Sequence, residues 1–390
     1  MIFLKYMFKR LLSMPQLPKN SFFLWGPRQV GKSFLMKHLY PNTPRIDLLD
    51  TDQYIRYLQR PSLLREECLT QSKQKLWIID EIQKSPLLLD EVHYLIENHG
   101  ITFGLCGSSA RKLKRGHANL LGGRALRYEL YGLVAKELAK KFDLEKILNR
   151  GYLPNHYQSE FYEKLIHSYV NDYLKNEIAA EGIVRNLPTF SNFLRAASFL
   201  DTEIVNFSNI ASDSGASSPT IREYFQILED TLLGSFLPAY IKRQKRKTIQ
   251  APKFYFFDVG IVNYLAKRGK IQKGSELFGK AFENWVYHEI KSYLSYQEVN
   301  TDFSYWRLRN QYEVDFILGD MEIAIEVKST ATIHSRHVKN LYELLKEYPR
   351  VKQCYIVCLE TKARLIQNKI LVLPYQDFIQ KLWDGEIISK

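Results

Sequence analysis

Short runs rich in apolar residues alternate with amphipathic stretches through the first third of the chain. Residues 22–25, 45–49, 75–79, 101–106 and 125–130 each have the length of a strand. A strand covered on both faces of a parallel sheet is apolar throughout, as 22–25 and 76–79 are, so the pattern predicts a buried α/β core. Between them, residues 33–40 and 51–59 predict helices, and Pro61 starts another short one. Upstream, Leu4, Phe8, Leu11 and Leu12 fall at helical spacing, so residues 1–20 predict a short amphipathic helix packed on this core. Lys5, Lys9 and Arg10 interrupt that stretch and set it apart from a signal peptide.

The pattern then changes. Residues 138–183 carry apolar positions at three- and four-residue spacing, as a helical lid or connecting bundle would. Residues 206–212 read as a short helix, 213–217 as a turn around Gly215, and 218–233 as a second helix. Ser218 suits its N-cap and Pro219 its first position. Helix, glycine turn, helix is the helix-turn-helix pattern. Residues 236–257 alternate as a hairpin, with Lys242, Arg243, Gln244, Lys245, Arg246 and Lys247 at its tip, which completes a winged helix with a basic wing.

Residues 281–294 predict a helix with Phe282, Trp285, Val286, Ile290 and Tyr293 on its apolar face and Glu283 also on it. Residues 312–318 and 322–328 alternate like strands, joined by Gly319-Asp320, a two-residue hairpin signal. That turn pairs Leu318 with Met321 and sets Asp315 opposite Ala324. Period two then places Asp315, Glu326 and Lys328 on one face, with Ile323, Ile325 and Val327 on the other, toward the core. Glu283 can approach from the helix.

At 390 residues the chain has room for two or three domains. Its net charge of +13 points to an anionic partner, with nucleic acid first and a membrane surface second. No apolar run approaches the length of a membrane span, so no membrane partner is expected. Cys68, Cys106, Cys354 and Cys358 are scattered, without zinc-site spacing, as in a reduced cytoplasmic protein.

The chemistry concentrates first at Gly26-Pro27-Arg28-Gln29-Val30-Gly31-Lys32-Ser33, which fits the phosphate-binding loop G-x-x-x-x-G-K-[ST]. Gly26 and Gly31 let the backbone curl so that N–H groups face an anion. Lys32 can reach the β- and γ-phosphates, and the Ser33 hydroxyl can ligate Mg²⁺. The run 75–79 ends in Asp80 and Glu81, the Walker B pattern. Asp80 is placed to hold Mg²⁺ and Glu81 to orient the attacking water. Ser108, after the next strand, is the sensor candidate. Arg124 is an arginine-finger candidate, in cis or across the interface of a homo-oligomer. A guanine-specifying N-K-x-D motif is absent from the sequence, which favours ATP over GTP.

GPRQVGKS, LWIIDEIQ, LCGSSA and LLGGRA, in this order, together with Gly151-Tyr152-Leu153-Pro154 and the segment 251–260, resemble a prokaryotic family of AAA-type ATPases. Its members carry a second conserved domain of largely unknown function. The resemblance implies ATP binding and hydrolysis. Asp315-x₁₀-Glu326-x-Lys328 resembles the PD-(D/E)xK nuclease fold, in which the acids hold Mg²⁺ or Mn²⁺ and the lysine positions water. Val314 stands where that fold often has proline. Glu283, Asp315 and Glu326 are the ligands that this resemblance implies.

The expected architecture is α/β throughout, in five segments. Residues 1–20 form an amphipathic helix, 21–135 a P-loop AAA-type ATPase core, 136–185 a helical lid and 186–257 a winged helix-turn-helix. Residues 258–390 form a restriction-endonuclease-like domain. The expected function is ATP hydrolysis coupled to conformational change on DNA. The alternatives are an ATP-dependent nuclease that cuts with its C-terminal domain, and an ATP-controlled switch on a protein partner.

Overall fold

A computed structural model describes residues 8–16, 18–71, 75–109, 121–174, 186–241, 251–308 and 312–390. The chain divides into two compact units. One is Arg10–Gly132 with Asp230–Leu233; the other is Leu133–Glu229 and Gly234–Lys390, together with Met1–Lys9.

The first unit is built on five strands: β1 (Ser21–Trp25), β2 (Arg45–Asp47), β3 (Leu76–Asp80), β4 (Thr102–Gly107) and β5 (Ala125–Glu129). Their order is β2-β3-β4-β1-β5, and every neighbouring pair is parallel. The apolar runs are apolar because the central strands have no solvent face. Phe22, Leu24, Ile78, Ile79, Phe103 and Leu105 are all buried. Helices Lys32–Leu39, Thr51–Gln59, Leu63–Thr70 and Leu88–His99 connect the strands. Asp50 starts the second of these by accepting hydrogen bonds from the N–H groups of Asp52 and Gln53. Gly100 ends the fourth in the left-handed conformation.

The N-terminal helix is corrected over its described part. Residues 8–16 are not helical, and Leu12 and Met14 are the buried apolar side chains, two positions apart. Arg10 fixes this course. Its guanidinium donates to the carbonyls of Val30 (2.6 Å), Tyr131 (2.6 Å) and Gly132 (3.3 Å). These bonds outweigh the local helical pattern. Residues 1–7 lie outside the described residues.

In the second unit, helices Ala135–Leu138, Leu144–Arg150, Pro154–Gln158 and Tyr162–Ser168 come first. Helices Leu187–Phe199, Phe207–Ser214 and Ser218–Asp230 follow, then an antiparallel ribbon of β6 (Gly234–Leu237) and β7 (Lys253–Phe256). Asn206 caps the middle helix of these three, and Gly215 ends it at φ 68°. The basic run 242–247 lies outside the described residues.

Asp258 joins distant parts of this unit. It caps helix Val259–Leu265 through the Ile261 N–H and also accepts from the N–H groups of Tyr152 (2.6 Å) and Leu153 (3.1 Å). Gly151 sits at φ 82°, and a Cβ there would lie 2.0 Å from the Asp258 carboxylate. The Gly151–Pro154 turn therefore needs its glycine for this clamp.

The C-terminal sheet has six strands: β8 (Phe303–Leu308), β9 (Tyr312–Leu318), β10 (Ile323–Lys328), β11 (Gln353–Cys358), β12 (Arg364–Ile366) and β13 (Ile370–Pro374). Their order is β12-β13-β11-β10-β9-β8. The pairs of β11 with β10 and with β13 are parallel and the others antiparallel. The long helix Glu276–Tyr296 carries Glu283.

The β9–β10 register corrects the sequence expectation. Leu318 pairs with Ile323, Ala324 with Ile317 and Ile325 with Phe316. The connection is therefore four residues, Gly319 to Glu322, with Gly319 (φ 67°) and Met321 (φ 59°) both left-handed. The pairing moves by two residues, so every side chain keeps its face. Continued along the ladder, this register sets Asp315 opposite Glu326. Both faces of β10 are covered, since Ile323 through Val327 are all buried.

Candidate functional site

In the first unit, parallel strands bring their carboxyl ends to one edge of the sheet. The phosphate loop follows β1, Asp80 ends β3, and Ser108 follows β4, which lies between them. Ser108 therefore stands between loop and acids. A crevice beyond the carboxyl ends of such strands is where α/β sheets bind ligands.

The loop is shaped for an anion. Gln29 (φ 65°) and Gly31 (φ 101°) are left-handed, and such turns aim successive N–H groups inward. A Cβ at Gly26 would lie 2.4 Å from the Leu130 carbonyl oxygen, so the loop can follow this path only with glycine there. Pro27 and Val30 are buried; Arg28 and Ser33 are half-buried. Lys32 is 6 % exposed and donates to the carbonyls of Gly26 (2.6 Å) and Pro27 (2.9 Å). Burial lowers its pKa against the opposing pull of Glu81 and Asp80.

Asp80 and Glu81 are both buried. Glu81 takes a left-handed conformation, φ 58° and ψ 40°, which ends the strand and turns its carboxylate across the sheet edge. Burial raises its pKa, while Lys32 and Arg28 act to lower it. Arg28 Nη2 stands 3.8 Å from Glu81 Oε2.

Sequence reasoning missed Gln83. Its Nε2 donates to Glu81 Oε2 (2.5 Å) and to Ser108 Oγ (3.0 Å), tying the candidate base to the candidate sensor. Gly107 makes room for it, because a Cβ there would lie 2.5 Å from Gln83 Oε1. The available signal was a buried-type position, following Ile82, filled by an amide. Arg124 is not gathered with this group. It is half-exposed and ion-paired with Glu97 of helix Leu88–His99.

The second candidate cluster lies in the other unit. Asp315 Oδ2 accepts from the Val327 N–H at 2.7 Å. Glu326 Oε1 accepts from Lys328 Nζ (2.7 Å) and Asn340 Nδ2 (2.9 Å). Glu283 accepts from the Tyr255 hydroxyl (2.8 Å) and from Lys253 Nζ (3.0 Å). Burial, with the Asp315 charge adding to it, pushes Glu283 up to about 8 and Glu326 up to about 7, against the lysines. Among the described residues, no three His, Cys, Asp or Glu side chains are arranged to hold one metal ion. The acids converge on lysines instead.

Comparison with known proteins divides the chain in three. A model of the AAA domain family matches residues 18–139. A domain of unknown function, DUF8612, matches residues 141–272, and another, DUF4143, matches residues 278–378. No curated protein matches the chain. Among solved structures, replication initiator DnaA bound to AMPPCP and single-stranded DNA is 12 % identical, with a TM-score of 0.29. That match covers 55 % of this chain and 83 % of the other. AMPPCP-bound DnaA from Aquifex aeolicus is 13 % identical, with a TM-score of 0.28, over 54 % of this chain and 81 % of the other. By the family models, the chain contains an AAA-type P-loop ATPase domain and a DUF4143 C-terminal domain. Among the described residues, no helix is long and apolar enough to cross a membrane.

Proposed function

We propose that the chain binds and hydrolyses ATP with Mg²⁺ to drive conformational change, and that it acts on DNA. The observation that carries the ATPase reading is the gathering of Lys32, Asp80, Glu81 and Ser108 at one sheet edge, around a loop with left-handed Gln29 and Gly31. Lys32 is held by loop carbonyls, and a phosphate can take over those hydrogen bonds. The Ser33 hydroxyl and the Asp80 carboxylate suit Mg²⁺, a hard cation that prefers oxygen donors. That ion supplies charge neutralisation at the phosphates. Glu81 accepts a proton from, or orients, the attacking water. Gln83 holds its carboxylate, and Ser108 shares the same amide donor.

The DNA reading draws on three features. The helices Phe207–Ser214 and Ser218–Asp230, joined around Gly215 and followed by the β6–β7 ribbon, fit a winged helix. The run 242–247 puts five cations into that ribbon's connection. The net charge of +13 acts in the same direction. The test is phosphate release by the purified chain, with and without duplex DNA, at several salt concentrations. We expect hydrolysis that Lys32→Ala abolishes, and DNA affinity that falls steeply with salt. Replacing Lys242, Arg243, Lys245, Arg246 and Lys247 with Ala should flatten that slope. Hydrolysis surviving Lys32→Ala would reject the nucleotide site; a salt-independent or absent DNA interaction would reject the DNA reading.

A further inference from the structure

The C-terminal acids enclose a lysine that their own sheet does not supply. Lys253 opens β7, the ribbon strand that follows the basic run, and its side chain is 3 % exposed. Its Nζ lies 2.6 Å from Glu313, 3.0 Å from Glu283 and 3.8 Å from Asp315. The Tyr305 ring closes another side, with its centroid 5.6 Å from Nζ. Three carboxylates thus ring this one buried ammonium. The group is therefore held as an ion-paired ammonium inside the acid cluster.

The surrounding charges make that position consequential. Glu283, Glu313, Asp315 and Glu326 face Lys253, Lys328 and Arg307, the last paired with Glu313 at 3.0 Å. Without Lys253, four carboxylates would share two cations, and Glu283 would keep only the Tyr255 hydroxyl. Buried carboxylates left this way are costly. A second observation points to a cation. Glu326 Oε2 is buried with no hydrogen-bond partner, while both of that residue's partners bind Oε1.

We propose that the Lys253 ammonium is the resident cation of this acid cluster, and that it bars a divalent metal ion from Glu283, Asp315 and Glu326. Lysine and metal are mutually exclusive there. With Lys253 in place, three cations face the four carboxylates, and the position between Glu283, Glu313 and Asp315 is filled. With Lys253 withdrawn, the same oxygens form a site with a demand for positive charge. Because Lys253 opens β7, its charge comes from the ribbon and not from the sheet that holds Glu313, Asp315 and Glu326. This inference is independent of ATP hydrolysis, and its test contains no nucleotide.

The test is Mn²⁺ binding to the nucleotide-free full chain, read from the loss of the free-ion paramagnetic resonance signal. Wild type and Lys253→Arg should take up no Mn²⁺ at the cluster. Lys253→Ala should gain a single Mn²⁺ site. Adding Asp315→Asn or Glu283→Gln to Lys253→Ala should weaken that site about tenfold or more. Wild-type binding that Asp315→Asn removes would overturn the proposal. So would a Lys253→Ala chain with a native circular dichroism spectrum and no Mn²⁺ site. The wild type gives a reading that needs no variant. Under acetylation of the native chain followed by mass spectrometry, Lys253 should react far more slowly than exposed lysines. Modification at the rate of an exposed lysine would also overturn the proposal.

Discussion

Each unit contains a buried lysine beside buried acids, and the two lysines are held in different ways. Lys32 rests on the neutral carbonyls of Gly26 and Pro27; Lys253 rests on the carboxylates of Glu283 and Glu313. Hydrogen bonds between ionised partners are about twice as strong as neutral ones. Lys32 therefore keeps a charge that nothing nearby has fully answered, and burial lowers its pKa. Lys253 is committed, and its carboxylates raise its pKa. Charge count alone would have made the two sites look equivalent. What holds the lysine separates a site ready for an anionic ligand from one whose cation is already in place.

The comparison breaks most easily at Lys32. Lys32→Ala should weaken ATP binding by about 100-fold or more, because it removes the charge opposite the phosphates. Titration with a fluorescent ATP analogue measures this; unchanged affinity would leave Lys32 as a structural lysine. Glu81→Gln should keep the affinity and lower turnover by about 100-fold, the low end of what a positioned base contributes. Normal single-turnover hydrolysis by that variant would remove Glu81 from its role.

A finer break is Gln83→Ala, which frees both Glu81 and Ser108. We expect kcat to fall about tenfold with KM nearly unchanged, since orientation and not binding is lost. Gln83→Asn, one methylene shorter, should not restore it. A change confined to KM would assign Gln83 to nucleotide binding.

The smallest effect concerns a buried acid whose hydrogen bonds come from neutral donors. Asp201 accepts from the Phe256 N–H and from Asn284 Nδ2, and burial pushes its pKa up to about 7. Its folded pKa is above the unfolded value, so the folded state holds the extra proton. Stability from this group is full below about pH 4 and is lost as the pH rises toward 7. Asp201→Asn should shrink the loss in unfolding free energy between pH 5 and pH 8, measured by urea titration at each pH. An identical pH dependence in both proteins would show that Asp201 is ionised in the folded state throughout.

Legibility in the sequence follows distance along the chain. The phosphate loop and Asp80-Glu81 are contiguous, and each needs only a strand before it, so local pattern sufficed. The face shared by Asp315, Glu326 and Lys328 also came through, because period two survives a register error of two residues. The register itself did not. A Gly-Asp pair implied a two-residue turn, whereas Met321 adopts a left-handed conformation that no propensity favours. Lys253 was out of reach, since its partners are thirty or more positions away and on other elements. Gln83 was near in sequence but depended on the left-handed turn at Glu81. The helix expected at the N-terminus failed over residues 8–16 because the partners of Arg10 lie on the loop and after β5.

That arginine moves a boundary. By pattern, the P-loop unit begins at the first strand, at Ser21, with the residues upstream read as a separate helix packed on it. Arg10 nonetheless holds the Val30 carbonyl inside the phosphate loop, and the same guanidinium grips the chain where it leaves the sheet at Tyr131 and Gly132. A fragment trimmed to the recognisable motif would keep every residue of the signature and lose the brace behind it. For dissecting this chain into parts, a fragment must begin at residue ten or earlier, and not at twenty-one.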